Sequence, residues 1–222
     1  MSSKPYPTTE VERSLAPARY VIGIDEVGRG AIAGPVAVGA FVIDLKNLDV
    51  ANIPTKLQDS KLMTERSREL VFEELATWSP GYAVGMVDAI DIDLNGIVWA
   101  LAQAAVRALN QLADIPELTD AVRGGSAHIL LDGTHNWLQS VVSRIPVTVR
   151  AKADRDCVSV AAASVMAKVT RDRLMVELAK DHPNFGMESH KGYASATHIE
   201  AIKSIGPTTI HRISWLSRIY PR

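Results

Sequence analysis

The segment YVIGIDEVGRGAIAGPVAVGAFVI, residues 20–43, decides the fold because it carries two strand patterns in succession. Residues 20–24 and 36–43 are apolar runs rich in β-branched side chains, and each has the length of one strand. The first run ends in two acids and several glycines, and Pro35 stands where a second strand can begin. We therefore predict two consecutive strands joined by a turn that carries polar groups.

Downstream, helix and strand patterns alternate. Apolar residues recur every three or four positions in four predicted helices, which cover residues 64–78, 91–113, 157–181 and 196–205. Shorter apolar runs predict further strands at residues 81–88, 128–132 and 145–151. The fold class is therefore α/β, with a mixed β-sheet flanked by helices and a helical C-terminal portion.

Two of these helices carry specific predictions about their ends and faces. The helix at 91–113 should bury an apolar stripe that includes Leu94, Val98 and Leu101. The last helix should open with a capping box formed by Thr197 and Glu200 and stop at the Gly-Pro pair of residues 206–207.

The composition is that of a globular protein, with 47% hydrophobic and 22% charged residues among 222. We expect one domain over residues 19–222, preceded by a flexible, proline-containing lead-in at residues 1–18. Cys157 is the single cysteine, so no intrachain disulfide can form, and its apolar surroundings predict burial. The chain has no signal-peptide pattern and no apolar run of about 18 residues. We expect a cytoplasmic monomer without membrane contact.

The formal net charge of −1 hides an uneven distribution. Residues 150–222 contain 12 Lys and Arg against 7 Asp and Glu, a net of +5, whereas residues 1–149 contain 12 against 18, a net of −6. The basic third is either a local phosphate-binding surface or an ordinary solvated face.

Acids stand at the ends of three predicted strands. Asp25 and Glu26 follow the first strand, Asp132 follows HILL, and Asp154 follows VTVRAKA. Side chains at strand ends in α/β sheets leave the core and converge in a crevice. Clustered carboxylates suit Mg²⁺ or Mn²⁺, and a pair of such ions supports phosphodiester hydrolysis. Taken singly, each acid is equally a turn former or a helix cap, as are three others, Asp59, Asp91 and Asp93.

The turn Gly28-Arg29-Gly30 resembles a dinucleotide fingerprint only superficially. That fingerprint needs a helix directly after its glycines, whereas Pro35 and a β-branched run follow here. Two alternatives are left open. The turn lets the backbone approach a sugar-phosphate chain, with Arg29 supplying charged hydrogen bonds, or it is a plain hairpin turn.

The C-terminal half carries further candidate groups. Ser164, Lys168 and Arg171 share one face of the predicted helix and form either a strip along a phosphate backbone or a solvated face. Tyr193 is a core ring or a stacking platform. Three other side chains are either functional or structural, namely His190, His211 and Arg212.

Five motifs occur together in an order typical of one family. They are GIDEVGRG at 23–30, DSKL at 59–62, LDG at 131–133, AAASVMAKVTRD at 161–172 and HKGY at 190–193. Over residues 20–217 the chain resembles bacterial ribonuclease HII. The resemblance implies an RNase H-like fold and four catalytic, metal-binding carboxylates, which are Asp25, Glu26, Asp132 and Asp154, with Mn²⁺ or Mg²⁺ as cofactor.

The resemblance also implies a substrate and a reaction. The substrate is an RNA–DNA hybrid, or duplex DNA containing ribonucleotides, cut 5′ of the ribonucleotide by two metals to leave 3′-hydroxyl and 5′-phosphate ends. Such cutting serves ribonucleotide removal. The glycine turn reads the ribose 2′-hydroxyl, and the tyrosine of HKGY packs on the following deoxyribose. The expected substrate-binding residues are Gly28, Arg29, Gly30, Lys61, Ser164, Lys168, Arg171 and Tyr193.

Two departures and two rival hypotheses remain. Thr134 stands where the family usually has Asn, and Ala153 precedes Asp154 where glycine is common, so Asp156 is an alternative ligand. A different RNase H-like nuclease or strand transferase would cut duplexes without ribose. A non-catalytic binding module would bind hybrids without turnover, and fold alone cannot separate these hypotheses.

Overall fold

A computed structural model describes residues 6–219. The strands are β1 Tyr20–Val27, β2 Val36–Asp44, β3 Tyr82–Val87, β4 Ala127–Asp132 and β5 Val147–Arg150. The helices are α1 Glu10–Ser14, α2 Glu65–Trp78, α3 Ala89–Asn95, α4 Ile97–Leu112, α5 Pro116–Arg123, α6 Ala153–Asp156, α7 Val158–Asp181, α8 Met187–His190 and α9 Ala196–Ile205. Short 3₁₀ segments include Ser60–Leu62 and Ile213–Trp215.

The five strands form one mixed sheet, as predicted. Their order is β3-β2-β1-β4-β5. The neighbours β1–β2 and β2–β3 are antiparallel, while β1–β4 and β4–β5 are parallel. Parallel neighbours need long crossover connections, and the chain between β1 and β4 supplies two strands and four helices for this purpose. The carboxyl ends of β1, β4 and β5 therefore lie along one edge of the sheet.

Helices cover both faces of the sheet. α4 packs on one face, where even-numbered residues of β1 such as Ile22 and Ile24 are buried. α7 and α2 cover the other face with a second apolar cluster that includes Phe41 and Ile43 of β2. This alternation follows from the two-residue repeat of a strand. It assigns Asp25 to the face covered by α7 and Glu26 to the face covered by α4.

Three glycines allow the helices to lie close to the sheet. A Cβ atom built on Gly23 would stand 2.2 Å from the backbone of Ser159, and one on Gly39 would stand 2.3 Å from the carbonyl of Ala163. On the opposite face, a Cβ on Gly85 would stand 1.9 Å from the carbonyl of Ala104. Such distances are below any normal contact. The separation between sheet and helices therefore depends on the absence of these side chains.

The predicted helix at 91–113 is wrong in one respect, because it is two helices. α3 ends and α4 begins at Gly96, whose φ of +84° is incompatible with a continuous α-helix. The predicted apolar stripe is divided as well. Leu101 is buried, whereas Leu94 and Val98 are 75% and 56% exposed.

The N-terminal segment also differs from the predicted flexible lead-in. Residues 1–5 lie outside the described residues, but from residue 6 onward the chain packs on the domain. Thr8 pairs with Cys157 as an isolated β-bridge, and α1 buries the side chain of Glu12 completely. The Glu12 Oε1 atom accepts hydrogen bonds from the backbone N–H and the hydroxyl of Ser159, at 2.8 and 2.9 Å. The segment is thus attached to the first turn of α7.

The remaining helix predictions are largely confirmed. α2, α7 and α9 agree with the predicted ranges to within one residue, and Cys157 is buried. The predicted capping box of α9 is wrong, because the N-cap is Ser195, whose side chain accepts a hydrogen bond from the N–H of His198. The helix stops at Gly206, as predicted. Within residues 6–219, none of the helices combines the length and apolar character that a membrane crossing requires.

Candidate active site

The register of β1 and β4 brings two of the predicted acids together. These strands are parallel, and their last aligned pair is Ile24 with Leu131. One residue further on, Asp25 and Asp132 stand next to each other on the face covered by α7. β1 runs on to Val27 because β2 continues to pair with it, so Asp25 and Glu26 lie inside the strand. The sequence pattern instead predicted that Asp25 and Glu26 would follow the end of the strand.

α6 places the next acid beside this pair. The Oδ1 atom of Asp132 accepts hydrogen bonds from the backbone N–H groups of Ala153 and Asp154, at 2.7 and 3.4 Å. Asp132 thereby holds the start of α6, and Asp154 on that helix is buried. Asp156, the alternative ligand, is paired with Arg150 and with its neighbour in sequence. The geometry therefore favours Asp154 over Asp156.

Two of the acids, Asp25 and Asp132, have raised pKa values. Burial is the main cause that raises the pKa of Asp25 well above its ordinary value, and the charges of Glu26, Asp132 and Asp154 add to it. A hydrogen bond from Ser164 acts in the opposite direction. The pKa of Asp132 is raised as well, first by burial and then by Asp154. Negative charge is therefore in excess here, and a cation would relieve it.

Two of the acids form ion pairs with basic side chains at the solvent-exposed rim of the site. Lys61 donates to Asp154 at 3.1 Å, and Arg29 donates to Glu26 at 3.2 Å. Burial alone would lower the pKa of Lys61, but the hydrogen bond to Asp154 and the charge of Asp25 raise it overall. The side chains of Lys61 and Arg29 are 69% and 54% exposed. Both can swing into solvent without loss of packing.

The donor set suits a hard divalent cation, because it consists of carboxylate oxygens without His or Cys. In the present rotamers, however, no three His, Cys, Asp or Glu side chains within residues 6–219 are arranged as a metal-binding group. The cause is visible in the contacts: Glu26 is turned to Arg29, Asp154 to Lys61, and Asp132 to the start of α6. Ligation requires the two rim ion pairs to open.

A cleft of about 680 Å³ opens beside the acids, on the side of α4. It is lined by Glu26, Arg29, Val98, Leu101, Asp132, Gly133, Thr134, His135, Asn136, Trp137, Ala151 and Lys152. Thr134, which replaces the usual Asn, bonds the ring of His135 at 2.8 Å. The cleft thus combines acids, two cations and an apolar wall.

Two buried arginines support the glycine turn by donating hydrogen bonds to its backbone carbonyls. Arg212 donates to the carbonyls of Gly28 and Arg29 at 2.7 and 2.9 Å. Arg171 donates to the carbonyls of Pro35, Ala33 and Lys191, at 2.8, 3.2 and 2.9 Å. Both arginines are fully buried. The predicted phosphate contact of Arg171 is therefore wrong, because its guanidinium is covered by the turn that it supports.

The glycine turn presents an open outer surface. A Cβ atom on Gly28 would collide with the side chain of Arg171, whereas one on Gly30 would meet nothing within 4 Å. Gly30 is not needed for internal packing, so its missing side chain leaves the surface open to a ligand. β2 follows the turn directly, which confirms that the dinucleotide reading does not apply.

The HKGY segment is joined to this turn. The carbonyl of Gly192 accepts hydrogen bonds from the N–H groups of Ile32 and Ala33, at 2.9 and 3.1 Å. Tyr193 is 36% exposed, and its ring centroid lies 5.6 Å from the Arg171 guanidinium. His190 has a structural role, because its Nε2 lies 2.7 Å from the carbonyl of Phe185 and its Nδ1 accepts from Gly192. Residues 28–35 and 190–193 together form what we call the recognition unit.

Two other predicted contacts are turned inward. Ser164 is buried, shares a hydrogen bond of 2.8 Å with Ser60 and lies near enough to Asp25 to lower the pKa of that carboxyl, so it supports an acid and does not face the cleft. Lys168 is paired with Asp172, and burial lowers its pKa. Sequence reasoning missed Ser60, although it lies in the DSKL motif, and it left the role of Arg212 open.

The comparisons with known proteins agree with this geometry. The family model described as Ribonuclease HII matches residues 22–218. A ribonuclease HII of Streptomyces avermitilis is 45% identical over 94% of this chain and 83% of its own length. The crystal structure of ribonuclease H2 from Pyrococcus horikoshii matches 90% of this chain and 96% of its own, with a TM-score of 0.63 and 29% identity.

A second solved structure shares the fold. Bst-RNase HIII in complex with Mn²⁺ covers 90% of this chain and 68% of its own, with a TM-score of 0.62 and 21% identity. At that identity the likeness shows the fold alone, which is RNase H-like as the sequence predicted. The family model matches residues 22–218 and a relative is 45% identical over most of both chains. The chain therefore belongs to the ribonuclease HII family and is a ribonuclease H.

Proposed function

We propose that this ribonuclease H cuts the RNA strand of RNA–DNA hybrids and also cuts 5′ of single ribonucleotides in duplex DNA, so that it removes ribonucleotides from DNA. The products would carry 3′-hydroxyl and 5′-phosphate ends. The observation that carries the proposal is the crowding of Asp25, Glu26, Asp132 and Asp154 at one edge of the sheet, with raised pKa values at Asp25 and Asp132.

Asp25, Glu26, Asp132 and Asp154 would hold two divalent ions, Mn²⁺ or Mg²⁺. The chemistry that bound ions supply is Lewis acidity for the attack of water on phosphorus and for departure of the 3′-oxygen. The carboxylates are ligands and not nucleophiles. The crystal structure of Bst-RNase HIII in complex with Mn²⁺ supports the choice of ion.

The chain's own groups would orient the substrate. We assign the ribose 2′-hydroxyl to the outer surface of Gly28, Arg29 and Gly30, since the carbonyls of the first two are held inward by Arg212. The exposed ring of Tyr193 would pack on the sugar that follows. Lys61, once released from Asp154, is within reach of a phosphate near the acids.

Residues turned inward contribute indirectly. Ser164 would fix the rotamer of Asp25 through its hydrogen bond. Lys168 is paired with Asp172 four residues further along the same helix, so we assign it a role in stabilising α7 and no contact with the substrate. We further propose that the protein acts as a cytoplasmic monomer, with residues 19–222 as its catalytic domain.

The test uses purified full-length protein, Mg²⁺ or Mn²⁺, and three duplexes: one with a single embedded ribonucleotide, a long RNA–DNA hybrid, and an all-DNA control. We expect cuts in the first two, with the scissile bond 5′ of the ribonucleotide. Ligation and phosphatase treatment of the fragments identify their ends. Asp25→Asn should be inactive, whereas Asp120→Asn, at a 78% exposed ion pair, should match the unmodified protein.

Two outcomes would contradict the proposal. Cutting of the all-DNA duplex would favour a general nuclease or strand transferase. Binding of the hybrid without metal-dependent turnover would favour a non-catalytic module.

A further inference from the structure

A group of histidines lies beneath the recognition unit, and the reaction proposed above does not use it. His198 of α9 and His211 are both buried, at 0% and 1% exposure. Their Nε2 atoms are 3.1 Å apart. His198 Nδ1 lies 2.9 Å from the carbonyl oxygen of Tyr193, the partly exposed residue to which we assign a substrate contact.

The neighbours of these imidazoles determine where each proton lies. The backbone N–H of Thr208 donates to His211 Nδ1 at 2.9 Å, so this nitrogen carries a lone pair. In a neutral ring the proton is then on His211 Nε2, which donates to His198 Nε2. His198 must in turn carry its proton on Nδ1 and donate to the carbonyl of Tyr193. The chain of hydrogen bonds therefore has a single direction.

Other groups packed around the pair favour the neutral forms. Burial is the main cause that lowers the pKa of His211 to about 4, followed by His198 and, more weakly, His182. Burial lowers the pKa of His198 as well, and His190 adds to this because its ring stacks on His198 at 4.4 Å. The ring of Phe185 covers His211 at 4.7 Å.

The backbone at this point needs to be held. Lys191 has a φ of +52°, in the left-handed region that strains a residue with a side chain, and such a conformation persists only when its surroundings determine it. Gly192, with a φ of +84°, adopts this region without strain. The same stretch is attached to the glycine turn through the carbonyl of Gly192. A shift at the carbonyl of Tyr193 would therefore move the ring relative to the turn.

We propose that His198 and His211 are positioning residues for Tyr193, which they hold against the glycine turn through a one-directional chain of neutral imidazoles that starts at Thr208. The inference rests on the proposed contact of Tyr193 with substrate. Neither histidine touches the substrate or the acids.

The first experiment measures the tautomers directly. The full chain, labelled with ¹⁵N histidine, is studied by long-range ¹H–¹⁵N correlation spectra at pH 7.5. We expect His211 protonated on Nε2, and His198 protonated on Nδ1. The reverse tautomer at either residue, or a charged ring, would overturn the proposal regardless of any activity.

The second experiment measures kcat and KM on the duplex with one embedded ribonucleotide. His198→Leu removes the donor to Tyr193 and should raise KM about fivefold, with kcat within about twofold. His198→Asn keeps a donor near the position of Nδ1 and should recover most of the loss. His128→Leu is the matched control, because His128 is a half-buried histidine that bonds Thr148 at the β4–β5 edge and should leave KM unchanged.

Tyr193→Ala separates this proposal from the proposed function. If Tyr193→Ala raises KM but His198→Leu does not exceed His128→Leu, the positioning role alone is refuted. If Tyr193→Ala leaves KM unchanged, the substrate contact is refuted and the positioning role falls with it. Melting temperatures are measured throughout, and if His198→Leu does not fold, His198→Asn and the tautomers decide.

Discussion

The four acids Asp25, Glu26, Asp132 and Asp154 form what we call the acidic edge. The acidic edge lies next to the recognition unit, but the two regions are stabilised in opposite ways. At the acidic edge, Asp25 and Asp132 have raised pKa values, and the partners of Glu26 and Asp154 are side chains more than half exposed. In the recognition unit, backbone carbonyls accept hydrogen bonds from fully buried arginines and a buried histidine.

The difference separates two tasks. The acidic edge is under electrostatic stress that a cation relieves, and its rim contacts are easily broken. The recognition unit has donors that cannot leave without opening the core, so its shape persists whether or not substrate is present. The acidic edge can rearrange when a ligand binds, whereas the recognition unit keeps its conformation.

The largest effect is expected for Asp25→Asn. Cleavage should fall by more than about 100-fold, since loss of even an indirect metal contact costs 10- to 100-fold. Stability should move the other way. A buried carboxyl with a raised pKa costs stability above its unfolded-state pKa, so in chelator at pH 8 the variant should be the more stable protein.

Urea unfolding at pH 8 and near pH 4 checks this sign. The advantage of Asp25→Asn should shrink as the pH falls, because the native Asp25 carboxyl becomes protonated first. A variant that is less stable at pH 8 would mean that Asp25 is not under electrostatic stress, and the contrast between the two regions would be lost.

Arg212→Met should unfold more easily than any rim variant. It removes the donors to the carbonyls of Gly28, Arg29 and Gly34, and we expect a loss of about 3 kcal/mol in the free energy of unfolding. Arg123→Met is the control, because Arg123 is 75% exposed and forms a surface ion pair with Asp120, so its loss should cost less than about 1 kcal/mol. Equal losses in denaturant melts would contradict a rigid recognition unit.

A smaller effect is expected from pH acting on His211. Its folded-state pKa of about 4 lies below the unfolded value of 6.5, so the unfolded chain binds the proton first as pH falls. Stability should therefore decline between pH 6.5 and 4, by roughly 1 to 3 kcal/mol from this group. His211→Gln should reduce the slope of melting temperature against pH, while exposed His135→Gln should leave the slope unchanged.

The smallest effect is expected for Lys61→Met. Lys61 competes with a divalent ion for Asp154, so its removal should tighten Mn²⁺ binding by about threefold, which calorimetric titration can measure. Turnover should nevertheless fall, because the proposed phosphate contact is lost. Weaker Mn²⁺ binding would show that Lys61 supports the metal ligands and does not oppose them.

The sequence predicted the acidic edge better than the recognition unit. Strand patterns and the position of acids after them were sufficient to bring Asp25 and Asp132 together, because parallel strands end at a common edge. The inward roles of Arg171 and Ser164 could not be predicted. Periodicity assigns a residue to a helix face, but it does not say which distant segment covers that face.

Two errors of local structure show what a local sequence pattern leaves out. The apolar repeat through residues 91–113 spans a break, because Gly96 changes direction while Leu94 and Val98 remain exposed. The polar N-terminal segment was expected to be flexible, yet its Glu12 is fully buried and bonds Ser159, which lies 147 residues further along the chain. In both cases a long-range contact or a single backbone angle outweighed the local pattern.

Gly39 affects the surroundings of the central carboxylate, Asp25, although it has no side chain of its own. Gly39 faces Asp25 in the β1–β2 register, and a Cβ there would meet the carbonyl of Ala163, next to the serine that bonds Asp25. A single methyl group at position 39 would push the long helix away from the sheet and weaken the contact between Ser164 and Asp25. The contact between Ser164 and the central carboxylate thus depends on a residue that has no side chain and binds no ligand.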